Sequence, residues 1–285
     1  MSTLIFIDGS YYIFYRYYAL LNWWKFQNPD SDNFDNLHEN EEFVNKFIKL
    51  FEKNILEIPK KLKIKVPYKI IVALDCPRSH IWRNQYHDSY KEGRKCDTNI
   101  GKFFELVMKN KLFEKPYIDS VLNIDCLEAD DCIALAVKEL QKIQNDKIIY
   151  IITNDHDYLQ LKTEYVFLYN LKFKEVGEKK TSGDPRKDLF IKAVCGDKSD
   201  NIQSIFNKNA SLMRTFKKNL DIFYETHDKF KEFCSLNNNQ YYDNYLNNMN
   251  LISFDNIPQQ YIEEFNIKYG YYLQSAKLLA NGYIK

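Results

Sequence analysis

Short apolar runs rich in β-branched residues punctuate the chain at positions 4–7, 68–74 and 147–153. Runs of this kind, almost uninterrupted by polar residues, are typical of strands buried on both faces of a parallel sheet. Alternation of such strands with helices predicts an α/β fold, with a central, mostly parallel sheet flanked by helices. Apolar positions with helical spacing lie between the runs, at 42–56, 100–109 and 129–143.

Beyond residue 201 the chain changes character and becomes polar and helical, with an asparagine-rich stretch at 237–250. The stretch 172–187 that precedes this region contains glycine and proline and has the composition of a loop. We therefore expect two parts, a core over residues 1–190 and a helical lobe over residues 191–285.

Acidic residues follow all three predicted strands, at Asp8, Asp75 and Asp155. Because ligands of open α/β sheets bind outside the carboxyl ends of the strands, these side chains are expected at one edge of the sheet. Glu128 and Asp131 share one face at the start of a predicted helix. Taken alone, each acid could equally cap a helix or close a turn. Further acids follow at Asp130, Asp157, Asp197 and Asp200.

The crowding of these carboxylates predicts bound cations, because so many like charges at one edge would otherwise repel one another strongly. Oxygen ligands without cysteine or histidine favour Mg²⁺ or Mn²⁺ over Zn²⁺. Two such ions about 4 Å apart are the usual apparatus for in-line phosphodiester hydrolysis. The pattern therefore predicts an enzyme that uses two Mg²⁺ ions, for which Mn²⁺ can substitute.

The overall composition bounds the setting of this chemistry. The net charge of the 285 residues is only +1, so a nucleic-acid surface requires that acidic residues be segregated from it. The six cysteines are scattered without a CxxC pair, which argues for free thiols in a reducing, intracellular compartment, the cytoplasm or a nuclear or viral replication site. No apolar run reaches the ~18 residues of a membrane span, and the start resembles a strand rather than a signal peptide.

Four blocks resemble, in order and spacing, the signature blocks of the 5′-nuclease superfamily: IDGS at 7–10, LEADD at 127–131, TNDHDYLQL at 153–161 and GDKSDNI at 196–202. That superfamily includes the amino-terminal nuclease domain of bacterial DNA polymerase I, phage 5′-nucleases and cellular flap endonucleases. The stretch 242–258 is similar to the phage ribonuclease H branch. The resemblance implies a PIN-like 5′-nuclease core.

The same resemblance implies the roles of the acids. One group of carboxylates would hold or surround the first metal ion, and another group would serve the second. Asp131 belongs to the motif and would act on the first ion as a ligand or from behind the ligands. The first group is Asp8, Asp75, Glu128, Asp130 and Asp155, and the second is Asp157, Asp197 and Asp200.

A basic segment at residues 83–95 is similar to the family segment that has an arginine, then tyrosine–lysine, then a further arginine. In relatives it leads into a helical arch over the active site, here expected at about 78–115, through which a single strand passes. By resemblance, Lys91 and Arg94 contact the scissile phosphate and stabilise its developing charge. Arg83 would support the strand or the site. Without the neighbouring carboxylates, the segment would be interpreted as a solvated amphipathic helix.

The chain departs from many relatives after the GDKSDNI block. Those relatives continue with a glycine-rich turn whose backbone amides grip duplex phosphates and often a K⁺ ion, whereas residues 203–210 contain no glycine. Close approach of backbone amides to phosphate is harder without glycine. The sequence therefore lacks the glycine-rich turn that holds K⁺ in those relatives. Side-chain charge would then replace these contacts in a duplex-binding lobe over 191–285. The basic residues concerned are Lys208, Arg214, Lys217 and Lys218.

These features predict a structure-specific 5′–3′ exonuclease and 5′-flap endonuclease of DNA replication or repair. Its expected partners are branched, nicked or 5′-flapped DNA, an RNA–DNA hybrid at a primer, and replication proteins, with the chain acting as a monomer. Two alternatives stay open. A PIN-type RNA nuclease shares the acidic core but lacks the segments at 83–95 and 196–202. A DNA-junction binding protein without catalysis would have no reason to retain so many like charges.

Overall fold

The computed structural model describes residues 3–29, 34–93, 98–143, 147–177, 181–207 and 209–278. At its centre lies a five-stranded sheet. Its strands are β1 (Thr3–Asp8), β2 (Tyr68–Ala73), β3 (Ser120–Leu122), β4 (Ile149–Ile152) and β5 (Val166–Tyr169). Neighbouring strands are parallel, in the order β3-β2-β1-β4-β5. The carboxyl end of β1 is therefore flanked by the carboxyl ends of β2 and β4.

In the described part of the chain, four α-helices alternate with the strands, and six further α-helices come after the last strand. The described residues form α1 (Gly9–Gln27), α2 (Glu41–Lys61), α3 (Thr98–Lys109), α4 (Ala129–Ile143), α5 (Pro185–Cys195), α6 (Ala210–Lys218), α7 (Leu220–Glu225), α8 (His227–Asn237), α9 (Gln240–Ile252) and α10 (Gln259–Leu278). Among the described residues, no helix is both long and apolar enough to cross a membrane.

Strand β1 is apolar throughout because its alternate side chains enter two separate cores. Leu4 and Phe6 pack in the core that includes residues of α4 and α10. Ile5 and Ile7 pack in the opposite core, with residues of α1, α2 and α3. All four side chains are fully buried. The sheet is thus covered on both faces, as the uninterrupted apolar runs predict.

A separate aromatic core holds helices α5 to α9 together. It contains Phe190 from α5, Phe216 from α6, Phe223 from α7, Phe230 from α8 and Tyr245 from α9, all buried. Helix α10 then returns to the sheet side of the molecule and packs on α4. The helical lobe is therefore built by α5–α9, while the end of the predicted lobe 191–285 lies against the core. The boundary at residue 190 stays a prediction.

The structure confirms the predicted fold class, with helices on both faces of a parallel sheet. The three apolar runs form β1, β2 and β4, and the three helical patterns form α2, α3 and α4. The short strands β3 and β5 are additional to those predicted from the sequence. The five cysteines in the described part of the chain are free thiols.

The region expected to form an arch, 78–115, folds close to the core wherever it is described. Residues 78–80 and 82–85 form two 3₁₀ helices. Helix α3 packs its buried Phe103 and Val107 into the same core as α1 and α2, and its Phe104 contacts Phe14 of α1. Arg94 and residues 95–97 lie outside the described residues, and the arch stays a prediction there.

Candidate active site

The three strand-end aspartates meet at the carboxyl edge of the sheet, as predicted. Asp8 is the last residue of β1, and its side chain accepts a hydrogen bond of 2.9 Å from the amide of Tyr11, capping α1. Asp75 follows β2 and accepts a bond of 2.7 Å from the amide of Ala129 at the start of α4. Asp155 follows β4. These residues line one cleft of about 410 Å³, together with Lys91, Glu128 and Asp130.

The glycine after Asp8 is required by close packing of the chain against β2. A Cβ atom at Gly9 would lie 2.6 Å from the carbonyl oxygen of Ala73 and 2.7 Å from a methyl carbon of Leu74. Neither distance is compatible with a normal side chain. The Asp-Gly pair in the first signature block therefore places the carboxylate at the edge while α1 begins directly against the neighbouring strand.

The start of α4 carries three acids in different environments. Asp130 faces the cleft, whereas Glu128 and Asp131 are buried, at 5% and 0% exposure. Between these two lies Arg83, whose guanidinium contacts Glu128 at 2.9 Å and both oxygens of Asp131 at 2.7 Å. The indole nitrogen of Trp82 also donates to Asp131, at 2.9 Å.

Neither Arg83 nor Asp131 lines the cleft. Arg83 is 2% exposed, so its guanidinium holds acids in place rather than facing the cleft. Asp131 is one of three acids whose oxygens converge at the start of α4. Arg83 and Trp82 engage both oxygens of Asp131 inside the protein.

A second acidic cluster lies beside the cleft. Oxygen atoms of Asp157, Asp197 and Asp200 lie within 4.8 Å of one another. Asp157 belongs to a 3₁₀ helix at residues 156–161, and the other two lie on the turn after α5. Lys192 enters this cluster from α5, with its ammonium 2.7 Å from Asp197 and hydrogen-bonded to Asp157.

The turn that carries Asp197 depends on the glycine of the last signature block. Gly196 has φ of 78°, a conformation that L side chains rarely adopt. A Cβ atom there would lie 2.4 Å from the carbonyl oxygen of Ile202. Asp197 and Ile202 exchange backbone hydrogen bonds of 2.9 and 2.8 Å, which close the turn and direct its acids toward Asp157.

Lys91 connects the two groups of acids. Its ammonium lies 2.5 Å from Glu128 and 3.9 Å from Asp200. Its backbone amide donates to the carbonyl of Asp200 at 3.0 Å, and its φ of 57° is unusual for a residue other than glycine. The hydroxyl of Tyr90 donates to the same two acids, at 3.1 and 3.3 Å. The segment of residues 89–91 is therefore pinned to the site.

Burial and crowding raise the pKa of several of these acids. Burial, with repulsion from Asp75, raises the pKa of Asp8 to about 7. The pKa of Asp75 and that of Asp130 are also raised, chiefly by removal from water. Burial raises the pKa of Asp157 to about 6 against the opposing effect of Lys192. Carboxylates that resist ionisation in a group are favourable sites for a cation, which replaces the protons.

The donor set of both clusters consists of carboxylate oxygens, which suits a hard divalent cation. The amino-acid sequence also matches a known family. Residues 3–187, more than half of the chain, match the family described as 5′-3′ exonuclease, N-terminal resolvase-like domain. The chain belongs to this 5′–3′ exonuclease family.

Relatives within and around the family cover most of the chain. The 5′-3′ exonuclease of Buchnera aphidicola subsp. Acyrthosiphon pisum is 29% identical over 241 residues, which are 81% of this chain and 76% of that protein. The ribonuclease H of bacteriophage T4 is 30% identical over 217 residues, which are 70% of this chain and 68% of that protein. The resemblance to the 5′-nuclease superfamily is thereby confirmed.

A solved structure shares the fold. The flap endonuclease of bacteriophage T5, in a complex with DNA and metal ions, superposes with a TM-score of 0.62 at 17% identity, over 96% of this chain and 100% of that one. At this identity the likeness concerns the fold. The family match covers the sheet and the cleft up to residue 187, and the likeness in fold extends over the helical lobe.

The remaining predicted residues lie on the lobe or outside the described chain. Arg214, Lys217 and Lys218 are exposed on α6, on the side away from the buried Phe216. Lys208 lies outside the described residues, as does Arg94. Sequence reasoning missed Lys192, which lies five residues before Asp197 but in no signature block. It also missed the hydroxyl of Tyr158, which donates to Asp8 at 3.3 Å although it belongs to a block.

Proposed function

We propose that this exonuclease family member is a Mg²⁺-dependent, structure-specific nuclease. It would act on branched, nicked or 5′-flapped DNA, as both a 5′–3′ exonuclease and a 5′-flap endonuclease, in replication or repair. The observation that carries the proposal is that two clusters of carboxylates lie next to each other, one of them at the sheet edge, in a chain of this family. The T5 flap endonuclease crystallised with DNA and metal ions supports the choice of substrate.

We assign the first ion to the cleft and the second to the neighbouring cluster. The all-oxygen donor sets favour Mg²⁺, with Mn²⁺ as a substitute. When bound, the ions supply an activated water and stabilise the charge on the phosphate during its hydrolysis. The ligands assigned to the first ion are Asp8, Asp75, Glu128, Asp130 and Asp155, and those assigned to the second are Asp157, Asp197 and Asp200.

Lys91 is the residue that we assign to the scissile phosphate. Its ammonium lines the cleft between the two acid groups. A phosphate drawn toward the cleft can accept hydrogen bonds from this ammonium in place of Glu128, which places positive charge where negative charge develops. On the basis of the sequence resemblance alone, we also assign Arg94 to the scissile phosphate. Arg83 acts as a positioning residue, because it fixes Glu128 and Asp131 from inside the protein.

We assign the duplex to helix α6. Phe216 anchors this helix in the aromatic core, while Arg214, Lys217 and Lys218 remain exposed on its outer side. Such a row of cations suits the phosphates of a duplex rather than base edges. Binding should therefore be tolerant of sequence and sensitive to salt. Lys208 extends the row in the sequence.

The test is a cleavage assay with purified protein. Labelled 5′-flap, nicked, single-stranded and RNA–DNA hybrid substrates are incubated with Mg²⁺, and the products are mapped to the nucleotide. We expect cleavage near the flap junction and release from a recessed 5′ end, both abolished by EDTA and restored by Mg²⁺ or Mn²⁺. Undiminished cleavage in EDTA would contradict the assigned metal chemistry. Cleavage of single-stranded RNA alone would favour the PIN-type alternative.

A further inference from the structure

Lys192 lies inside the second acidic cluster, where the proposed second ion would be coordinated. Its ammonium is 2.7 Å from Asp197 and is also hydrogen-bonded to Asp157. Its side chain is 26% exposed, so most of it is enclosed by protein. The oxygens of Asp157, Asp197 and Asp200 lie within 4.8 Å of one another. The Lys192 ammonium therefore contacts two of the three acids of this cluster.

We propose that Lys192 is a built-in counter-cation of the second site. It neutralises Asp157 and Asp197 as long as no divalent ion is bound there, and it must leave them before the second ion can bind. This inference rests on the proposed metal-dependent function and adds a regulation of the same site. Its consequence is a fixed order of loading, in which the cleft fills first and the second cluster fills with lower affinity.

The charge balance of the two sites supports that order. The cleft gathers five carboxylates against the ammonium of Lys91 and the guanidinium of Arg83 behind Glu128, whereas the second cluster has three carboxylates against Lys192. A lysine ammonium is charged at neutral pH, and at 2.7 Å from Asp197 it competes electrostatically with an incoming cation.

The fold also provides an alternative place for the displaced ammonium. Lys192 and Asp157 line a cavity of about 320 Å³ that Asp188 lines as well. Asp188 precedes Lys192 by four residues on α5, the spacing at which an acid and a lysine pair along one helix face. Its carboxylate already accepts a hydrogen bond of 2.9 Å from the amide of Ser182, which holds it at this cavity. By rotating its side chain, Lys192 can exchange Asp157 and Asp197 for Asp188 as its partner.

The test measures metal binding directly, without substrate or turnover. Mn²⁺ is titrated into the full-length protein at pH 8, and free Mn²⁺ is followed by electron paramagnetic resonance. We expect one tighter and one weaker site in the unmodified chain. Lys192→Met should tighten the weaker site by about tenfold or more, because an adjacent charge of this kind shifts an ionic equilibrium by about one to three decades. Lys192→Arg, which keeps the charge, should leave it weak.

Thermal unfolding gives a second readout and a matched control. In EDTA, Lys192→Met should unfold at a lower temperature than the unmodified chain, and Mn²⁺ should restore more of its stability. Lys187→Met changes another lysine of α5, which pairs with Asp221 away from the cluster. It should leave both Mn²⁺ affinities unchanged. A merely structural Lys192 would instead give equal losses in EDTA and in Mn²⁺.

The possible results separate the inference from the proposed function. If the unmodified chain bound no Mn²⁺, the metal-dependent function itself would fail. If it bound two ions and Lys192→Met left the weaker affinity unchanged, the counter-cation role would be wrong while the function stood. Should Lys192→Met fail to fold, Asp188→Asn decides. Loss of the alternative partner should weaken the second site several-fold, and unchanged affinity would overturn the proposal.

Discussion

Arg83 and Asp131 form a two-point ion pair in the interior, with both nitrogen–oxygen distances at 2.7 Å. The pair joins the 3₁₀ helix at 82–85 to the start of α4. The same guanidinium contacts Glu128 at 2.9 Å, so one buried side chain fixes two acids of the site. This geometry depends on the planar fork of arginine, which a lysine cannot reproduce.

Removing this arginine should be costly for stability. Arg83→Met leaves Asp131 buried without its partner, and breaking a buried ion pair in this way costs about 3–5 kcal/mol. The free energy of unfolding is measured by urea titration. Arg186→Met, at an exposed position of α5, serves as the control and should change it by less than about 0.5 kcal/mol. A loss below about 1 kcal/mol for Arg83→Met would show that the pair is dispensable.

Asp155→Asn should abolish most turnover without disturbing the local fold. The side chain of Asp155 accepts a 2.9 Å hydrogen bond from the amide of Asp157, and an asparagine oxygen can keep that bond. A neutral amide is a poor ligand for a hard cation, so the single-turnover rate on a 5′-flap should fall about 10²-fold or more. Affinity for the same DNA in Ca²⁺ should change little. Asp243→Asn on α9 should be neutral, and a near-normal rate for Asp155→Asn would remove this residue from the site.

Lys91→Ala should depress the rate far more than the affinity. A lysine at the scissile phosphate acts mainly on the transition state. Both quantities are measured on one flap substrate, the rate in Mg²⁺ and the affinity in Ca²⁺. Lys142→Ala, an exposed lysine of α4 that pairs with Glu139 at 3.6 Å, is the matched control. If Lys91→Ala lost affinity and kept its saturating rate, Lys91 would be an ordinary DNA contact.

Lys217→Ala should act in the opposite way, on binding rather than on rate. This lysine is exposed on α6. Loss of one phosphate contact should weaken duplex binding and reduce the slope of log affinity against log salt by about one. The measurement is fluorescence anisotropy of a labelled duplex over a salt series. Lys53→Ala on α2 should keep the original slope, and an equal slope for Lys217→Ala would take α6 out of the interface.

The metal-free protein should lose stability as the pH rises from about 4 to about 7. The pKa of Asp8 is raised by burial from 3.8 to about 7, so over this window the folded chain binds a proton that the unfolded chain releases. Stability then falls with increasing pH. Urea midpoints in EDTA at pH 5 and pH 7.5 measure the effect, which Asp8→Asn should reduce. Mg²⁺ should offset the loss, since it binds the ionised form, and equal slopes for both proteins would refute this account.

Much of the acidic edge can be predicted because it follows from local sequence. A strand that ends in Asp8 and a parallel neighbour that ends near Asp75 must bring both acids to one edge. Strand β3 escapes prediction because three residues are too few to show a period. The contact of Lys192 with Asp157 joins positions 35 residues apart and leaves no periodic trace in the sequence. The return of α10 to α4 is likewise set by tertiary packing.

The guanidinium of Arg83 reaches one further group, the carbonyl of Leu251 near the end of α9, which it contacts through Nε at 2.7 Å. Helix α9 belongs to the lobe, while Glu128 belongs to the acidic edge. Helix α9 therefore cannot move relative to the core without breaking this hydrogen bond or carrying the arginine with it. The position of Glu128 and Asp131 and the orientation of α9 are therefore coupled through the Arg83 side chain.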